Sequence, residues 1–355
     1  YLFYLVYVNE IIMNKFLFLI ILFLFIFFLF PKKEPPPNIF LITLDGVRWQ
    51  EVFYGIDKNL VEKTNYVNDK ELLLDKYFTI KLSERRKKLM PFMWNYVYKN
   101  GKLFGDSLKK SNFSLTNNKI FSYPGYNEIL TGKADSTINS NAKIYNKNIT
   151  ILEKLNQTID YKNKIAAFAS WDVFPFIIND KRSGVPVNAG YMSELNLKTP
   201  IVDYINKNQK RTPVIWDNVR LDVYTHNLAL EYIKKKKPKF IYIAYGETDD
   251  FGHWEKYDFY INSLNYTDNM IEELWNYVQK NKFYKDNTYF IITTDHGRGS
   301  MENWPNHGKS KASWLAILGP KIKNTGLVEG NFYASQIAET ILNMSKGIDT
   351  KIPIK

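Results

Sequence analysis

Cysteine is absent from all 355 residues. Its absence removes disulfides, thiolate nucleophiles, thiolate metal sites and a lipid-modified N-terminal cysteine together, so a bound metal has to rely on His, Asp or Glu. Histidine is scarce, with four in the chain, and the place of each one therefore carries weight. Acidic residues are in the minority, 36 against 48 Lys and Arg, for a net charge of +12. The lysines are scattered among asparagines rather than gathered into one stripe, so no nucleic-acid partner is expected. The densest run, Lys234 to Lys237 with Lys239 past Pro238, follows an apolar helical pattern and precedes a strand, where cations suit a helix C-terminus.

What is present is apolar bulk. Hydrophobic residues make up 45% of the chain and aromatics 16%, enough for one large core, so disorder is not expected. Phe16 to Phe30 is an unbroken apolar stretch behind Asn14 and Lys15, and Pro31-Lys32-Lys33-Glu34-Pro35-Pro36-Pro37 ends it with charge and helix-breaking prolines. Its 15 residues fit the apolar region of a signal peptide better than a full span, which needs about 20, yet no small-x-small cleavage site follows. The expectation is an exported protein, periplasmic or extracellular, with residues 1–30 a signal peptide or membrane anchor and 31–37 a linker. Membrane contact is expected only through that segment. Met13 is a natural initiator, which would make residues 1–12 upstream sequence.

From residue 38 to residue 355 a single domain is expected. Short β-rich apolar runs (Ile39 to Leu44, Ile165 to Ala169, Phe240 to Ala244, Tyr289 to Thr293, Trp314 to Leu318) alternate with helical spacing at Met90 to Lys99, Asn127 to Thr131, Val219 to Lys235, Tyr257 to Lys280 and Ala334 to Met344. Alternation of this kind predicts an α/β fold, a mostly parallel central sheet covered by helices on both faces. Stretches 56–88 and 180–216 read as loops or caps.

In open α/β sheets ligands bind beyond the carboxyl ends of strands. Here the first strand runs into Asp45-Gly46-Val47-Arg48, the strand at 240–244 into Glu247-Thr248-Asp249-Asp250-Phe251-Gly252-His253, and the strand at 289–293 into Thr294-Asp295-His296-Gly297. Any one strand-end aspartate is most simply a helix cap. Three such ends, with His253, His296 and His307 in or just after them, point instead to cations, because buried carboxylates and imidazoles without one are costly. These ligands are too many for one tetrahedral zinc and suit two metals about 4 Å apart, which implies displacement at phosphorus or a similar centre. The candidate nucleophile is Ser122, in Phe121-Ser122-Tyr123-Pro124-Gly125-Tyr126-Asn127, a turn opening a helix whose N–H groups favour an anionic ester. His226, apart from every motif, reads as a structural histidine. Trp94, Trp216, Trp275 and Trp304 read as packing residues, with Trp304 near enough to His307 in sequence to line a pocket.

In this order the motifs resemble the alkaline phosphatase superfamily, and within it the nucleotide pyrophosphatase/phosphodiesterase branch: a strand ending in Asp-Gly, a Ser two residues before proline and ten before glycine, Asp-x-x-x-His, Asp-His-Gly, and a late His-Gly. The resemblance covers Asn38 to about Pro320. It implies a three-layer sandwich and two divalent metal ions, zinc first among the candidates. Asp45, Ser122, Asp295 and His296 would hold one ion, and Asp249, His253 and His307 the other. It further implies attack by Ser122 on a small-molecule phosphate ester, a phosphoseryl intermediate, and hydrolysis with retained configuration, with Asn141 (Asn139 being an equally simple choice) contacting the phosphate. A diester is expected before a monoester.

Departures bear on that reading. Gly125-Tyr126 stands where the branch commonly has Asn-His. Ser170-Trp171 is followed by Asp172-Val173-Phe174 rather than the cations that clamp a phosphate dianion in some monoesterases, with Lys133 or Arg298 as substitutes. Tyr126 also stands where formylglycine sulfatases need arginine. The rival readings are a phosphoryl-group transferase, a sulfatase-like hydrolase, and an anchored binding module that has lost the reaction; the intact set of nucleophile and ligand candidates counts against the last.

Overall fold

Seven consecutive residues, Asn38–Leu44, are buried on both sides of the strand they form (β1), as expected of a central strand in a sheet covered on both faces. In a computed structural model, which describes residues 3, 7–8, 11–18, 35–63, 65–194 and 196–348, this strand lies in an eight-stranded sheet. The other strands are β2 (Lys102–Phe104), β3 (Ser111–Ser114), β4 (Ile165–Ala169), β5 (Val187–Ala189), β6 (Phe240–Tyr245), β7 (Thr288–Thr293), β8 (Leu315–Leu318), β9 (Gly326–Leu327) and β10 (Gly330–Tyr333). The sheet order is β5-β4-β6-β1-β7-β8-β2-β9, while β10 and β3 pair separately. All pairs from β5 to β7 are parallel, and only β8 runs against its neighbours. The fold is therefore α/β with a mostly parallel central sheet.

The period of two along β1 divides the core. Phe40, Ile42 and Leu44 enter one apolar cluster with the helices Asp222–Lys236 and Tyr257–Lys280; Ile39 and Leu41 enter the other with the helices Ser122–Thr131, Ile151–Asn156 and Gln336–Ser345. Helix Tyr257–Lys280 buries Tyr257, Tyr260, Ile261, Leu264, Ile271, Leu274 and Val278, a stripe at helical spacing. Each such side chain stabilises the fold by roughly 1.5–3 kcal/mol relative to exposure. From the same face Asp268 accepts the backbone N–H groups of Phe92 (2.7 Å) and Met93 (3.0 Å), tying this helix to the first turn of the helical segment 91–100.

The chain divides into two units, Tyr1–Pro35 and Pro36–Lys355. In the first, residues 11–18 are helical. The apolar stretch 16–30, apart from its first three residues, lies outside the described residues, as do parts of 1–12 and most of the linker 31–37. Among the described residues no helix is long and apolar enough to cross a membrane.

Two stretches read as loops or caps hold regular structure. Within 56–88 lie the helices Lys58–Lys63, Lys70–Tyr77 and Leu82–Leu89, and within 180–216 lie Asp180–Ser183, β5 and Pro200–Gln209. Their apolar pattern is weak because they cover the surface and bury few side chains. Leu82–Leu89, with sequence LSERRKKL, buries only Leu89 and is held in addition by the Arg86 guanidinium 3.5 Å above the Trp94 ring.

Candidate metal centre and nucleophile

β6, β1 and β7 are adjacent and in parallel register, with Leu44 opposite Tyr245 and Thr43 opposite Thr293. Residues just past their ends therefore emerge side by side at one edge of the sheet, although Gly46 and Asp295, for example, are 249 positions apart in sequence. Asp45 follows β1, Asp249 and His253 sit on the short helix Glu247–His253 after β6, and Asp295-His296 follows β7. Gly46 turns the chain after Asp45 at φ +65°. A Cβ at this position would overlap Asp249 Oδ1, so glycine is required both for the conformation and for the approach of the second carboxylate. The Gly46 N–H donates to Asp295 Oδ1 at 3.1 Å.

The first cluster is built around His296 Nε2. Asp45 Oδ1 lies 3.3 Å away, Asp295 Oδ2 3.4 Å away, and Ser122 Oγ 3.3 Å away. His296 Nδ1 is 2.9 Å from the Gly297 carbonyl. An N–H donated there leaves Nε2 facing the carboxylates, the orientation in which a metal-ligating imidazole is held. Asp45 Oδ1 and Asp295 Oδ2 are buried and receive no hydrogen bond. Two orphaned carboxylate oxygens aimed at one point are expensive without a cation, and the donor set of Asp45, Asp295 and His296 fits a divalent ion. The electrostatics agree. Burial alone would pull His296 down, but the charges of Asp295, Asp45 and Asp249 outweigh it and hold the imidazole up at about 10. Burial, then repulsion from Asp45 and Asp249, pushes Asp295 well above the usual carboxylate range.

The second cluster converges on Asp249 Oδ2, with His253 Nε2 at 3.1 Å and His307 Nε2 at 3.8 Å. The two imidazole nitrogens are 3.0 Å apart. Asp249 and His253 meet because they lie four residues apart on one helix face. Asp249, His296 and His307 also form a possible ligand group, and Asp249 Oδ1 lies 4.0 Å from His296 Nε2, so the clusters adjoin. Burial would raise the Asp249 carboxyl, yet Arg298 foremost, with the three histidines, holds it well below its usual range.

Ser122 opens the ten-residue helix Ser122–Thr131 and is buried. Every residue of this helix is buried, and the contacts of its first two turns show why it reads Gly125-Tyr126. A Cβ on Gly125 would overlap the Asp295 carbonyl oxygen, so the glycine lets the helix lie against the turn after β7. The Tyr126 hydroxyl donates to Asp45 Oδ2 at 2.9 Å. Asn141 Oδ1 accepts the Tyr123 N–H at 3.0 Å, capping the first turn. Asn139 makes no such contact.

The structure thus brings together Asp45, Ser122, Asp249, His253, Asp295, His296 and His307. Glu247 turns away, to the Asp222 N–H and the Ser263 hydroxyl. Lys133 is exposed beyond the far end of the Ser122 helix, roughly 15 Å along its axis, so it is no clamp for a group at Ser122. Arg298 is buried against Asp249 rather than free to meet a phosphate. His226 is structural, packed between the Tyr245 hydroxyl (2.9 Å) and Glu273 (3.1 Å). Trp304 is fully buried behind Arg298 and lines no opening. The motifs assign no role to Tyr126, noted only as a departure, or to Thr248, whose hydroxyl donates to the Asp45 carbonyl; both lie inside the motifs, which is the available signal.

Residues 216–342 match the family described as Metalloenzyme superfamily, a span that includes Asp249, His253, Asp295, His296 and His307. No curated protein matches the sequence. Solved structures resemble it in fold. The lipoteichoic acid synthase LtaP from Listeria monocytogenes is 13% identical with TM-score 0.58, over 90% of this chain and 74% of that one. A protein in the alkaline phosphatase superfamily from Vibrio parahaemolyticus is 15% identical with TM-score 0.54, over 90% and 69%. The phosphonate monoester hydrolase from Silicibacter pomeroyi is 13% identical with TM-score 0.51, over 88% and 75%. At these identities the likeness is one of fold.

Proposed function

We propose that this chain, whose fold is that of the alkaline phosphatase superfamily and whose residues 216–342 match the Metalloenzyme superfamily, is a metal-dependent hydrolase of phosphate esters with Ser122 as nucleophile. The observation that carries the reading is the convergence of Ser122 Oγ and of two carboxylate oxygens without hydrogen-bond partners on His296 Nε2, all within 3.4 Å of it.

Asp45, Ser122, Asp295 and His296 would hold one divalent ion and Asp249, His253 and His307 the other. When bound, the ions supply Lewis-acid stabilisation of charge on the attacking and leaving oxygens; mixed imidazole and carboxylate donors suit zinc, and manganese or iron, better than calcium. The protein's own contribution is orientation. The helix N-terminus at Ser122 turns its positive dipole end to the phosphate. Asn141, its carbonyl engaged by Tyr123, keeps its amide NH2 for a phosphoryl oxygen. Ser122 Oγ attacks phosphorus as the ester oxygen departs, and water then displaces the phosphoryl group from Ser122 in a second in-line step, as a phosphate monoester when the substrate is a diester and as phosphate when it is a monoester.

A diester with one negative charge is the preferred substrate, because Arg298 is already paired with Asp249, Lys133 lies beyond the far end of the Ser122 helix, and a dianion would want a free cation. Transfer to an alcohol in the second step is the alternative favoured by the likeness in fold to a lipoteichoic acid synthase. The proposed location outside the cytoplasmic membrane rests on the apolar segment 16–30 alone.

The test measures metal content together with turnover of bis-p-nitrophenyl phosphate, p-nitrophenyl phosphate and p-nitrophenyl sulfate, for the native chain and Ser122→Ala. Two ions per chain and phosphate-ester cleavage reduced at least a thousandfold by Ser122→Ala are expected, on the order of what removal of a nucleophile costs. Added glycerol that diverts product to a phosphoglycerol would select the transferase. Activity indifferent to Ser122 would sink the proposal.

A further inference from the structure

The side chain of Arg298 is completely buried, and its partners are Asp249 of the candidate second metal site and the carbonyls of the segment that leads into His307. Nη1 donates to Asp249 Oδ1 and, at 3.2 Å, to the Asp249 carbonyl. Nε donates to the Trp304 carbonyl at 3.1 Å and Nη2 to that of Pro305. His307 follows two residues later. The segment from Gly299 to Asn306 closes on itself through the Gly299 N–H to the Asn306 carbonyl (2.8 Å), and the Gly299 carbonyl accepts from Arg48 Nη1 at 3.1 Å. Space for the guanidinium is made by glycine on two other elements. A Cβ on Gly252 would overlap it, and one on Gly46 would come within 3.1 Å of Nη1.

From this arrangement we propose that Arg298 is the positioning residue of the second metal ion. By occupying Asp249 Oδ1 it leaves Oδ2 alone to face His253 and His307, and by gripping the carbonyls of residues 304 and 305 it fixes the approach of His307. The inference rests on the two-metal reading above. Two effects of the arginine oppose each other. Its charge repels a cation, so its removal would by charge alone tighten binding; its four contacts orient two of the three ligands, so its removal loosens them. Partners of metal ligands commonly account for roughly 10- to 100-fold in affinity, and a planar five-donor fork satisfies a carboxylate and two carbonyls together where an ammonium does not. Orientation is the effect assigned to Arg298.

Cobalt(II) is the probe. The full chain is titrated with cobalt and followed by visible absorption, whose intensity reports coordination number, in the native sequence, Arg298→Gln, Arg298→Lys, and a His253→Ala/His307→Ala double variant that marks which equivalent belongs to the second site. The melting temperature of each metal-free protein is measured alongside. The native chain is expected to bind two equivalents and the double variant one. Arg298→Gln should keep the first equivalent at native affinity and bind the second at least tenfold more weakly, with weaker absorption as Asp249 becomes free to ligate through both oxygens; Arg298→Lys should recover part of the loss. Equal or tighter second binding in Arg298→Gln overturns the inference and leaves the two-metal reading intact. Loss of both equivalents with a collapse of the metal-free melting temperature also overturns it, making Arg298 a packing group. A native chain that binds fewer than two equivalents removes the two-metal reading and this inference with it.

Discussion

Tyr126 is buried among carboxylates, and its phenol is pushed well above its ordinary range by that burial and then by Asp295 and Asp45. It therefore remains a hydroxyl donor to Asp45 Oδ2 across the working pH range. Asp45 has two oxygens with different duties: Oδ2 takes this hydrogen bond, and Oδ1 is left without one, toward His296 and Ser122. Replacing Tyr126 by Phe leaves the ring in place and strips the donor from a buried carboxylate, which costs roughly 1–3 kcal/mol. Urea unfolding of the metal-free Tyr126→Phe protein should show a loss of that size, and an unchanged midpoint would mean that water or another group replaces the tyrosine. The same residue also shows how far sequence reading reaches. Tyr126 was visible as a departure from a motif, and its role could not be read because its partner lies 81 positions away.

At the scale of elements, helices are joined by polar tethers as well as by apolar stripes. Asp268, on the long helix Tyr257–Lys280, accepts the N–H groups of Phe92 and Met93, and burial first, with Glu272 adding to it against those two hydrogen bonds, raises its carboxyl to about 7. The unfolded value is near the ordinary 3.8. Between these two values the folded chain holds a proton that the unfolded chain has released, so the stability present below the lower value is lost as pH rises through about 7. The slope is roughly 1.4 kcal/mol per pH unit while the difference persists. Denaturant midpoints of native protein and Asp268→Asn, compared from pH 4.5 to 8, should therefore diverge, the native protein losing more stability as pH rises. Parallel curves would mean that Asp268 is ionised in the fold. Helix Tyr257–Lys280 was legible to its last residue from apolar spacing alone, whereas the helices within 56–88 and 180–216 were not. Covering helices bury one to three side chains each, and a pattern that sparse does not stand out from a loop.

Across the whole molecule, three central strands direct Asp45, Asp249 and Asp295 at one another, and the fold carries that repulsion unless a cation or protons offset it. Chelation should lower the melting temperature, and readded zinc should raise it in proportion to the logarithm of free metal, by about 2.7 kcal/mol of stability at a hundred times the dissociation constant. A melting temperature indifferent to both would mean that the carboxylates are neutralised from within, by the His296 imidazolium and Arg298. The sequence by itself determined the α/β class, the main strands, and the acidic and histidine-bearing segments at three strand ends, because period, apolar runs and the polar residues that stop them are local properties of the chain. Only the tertiary structure decided that β6, β1 and β7 stand side by side, that Ser122 reaches His296, and that Arg298 turns toward Asp249. Those outcomes depend on strand order, on glycines that admit close approach, and on carbonyls distant in sequence, and no local pattern of residues encodes such pairings.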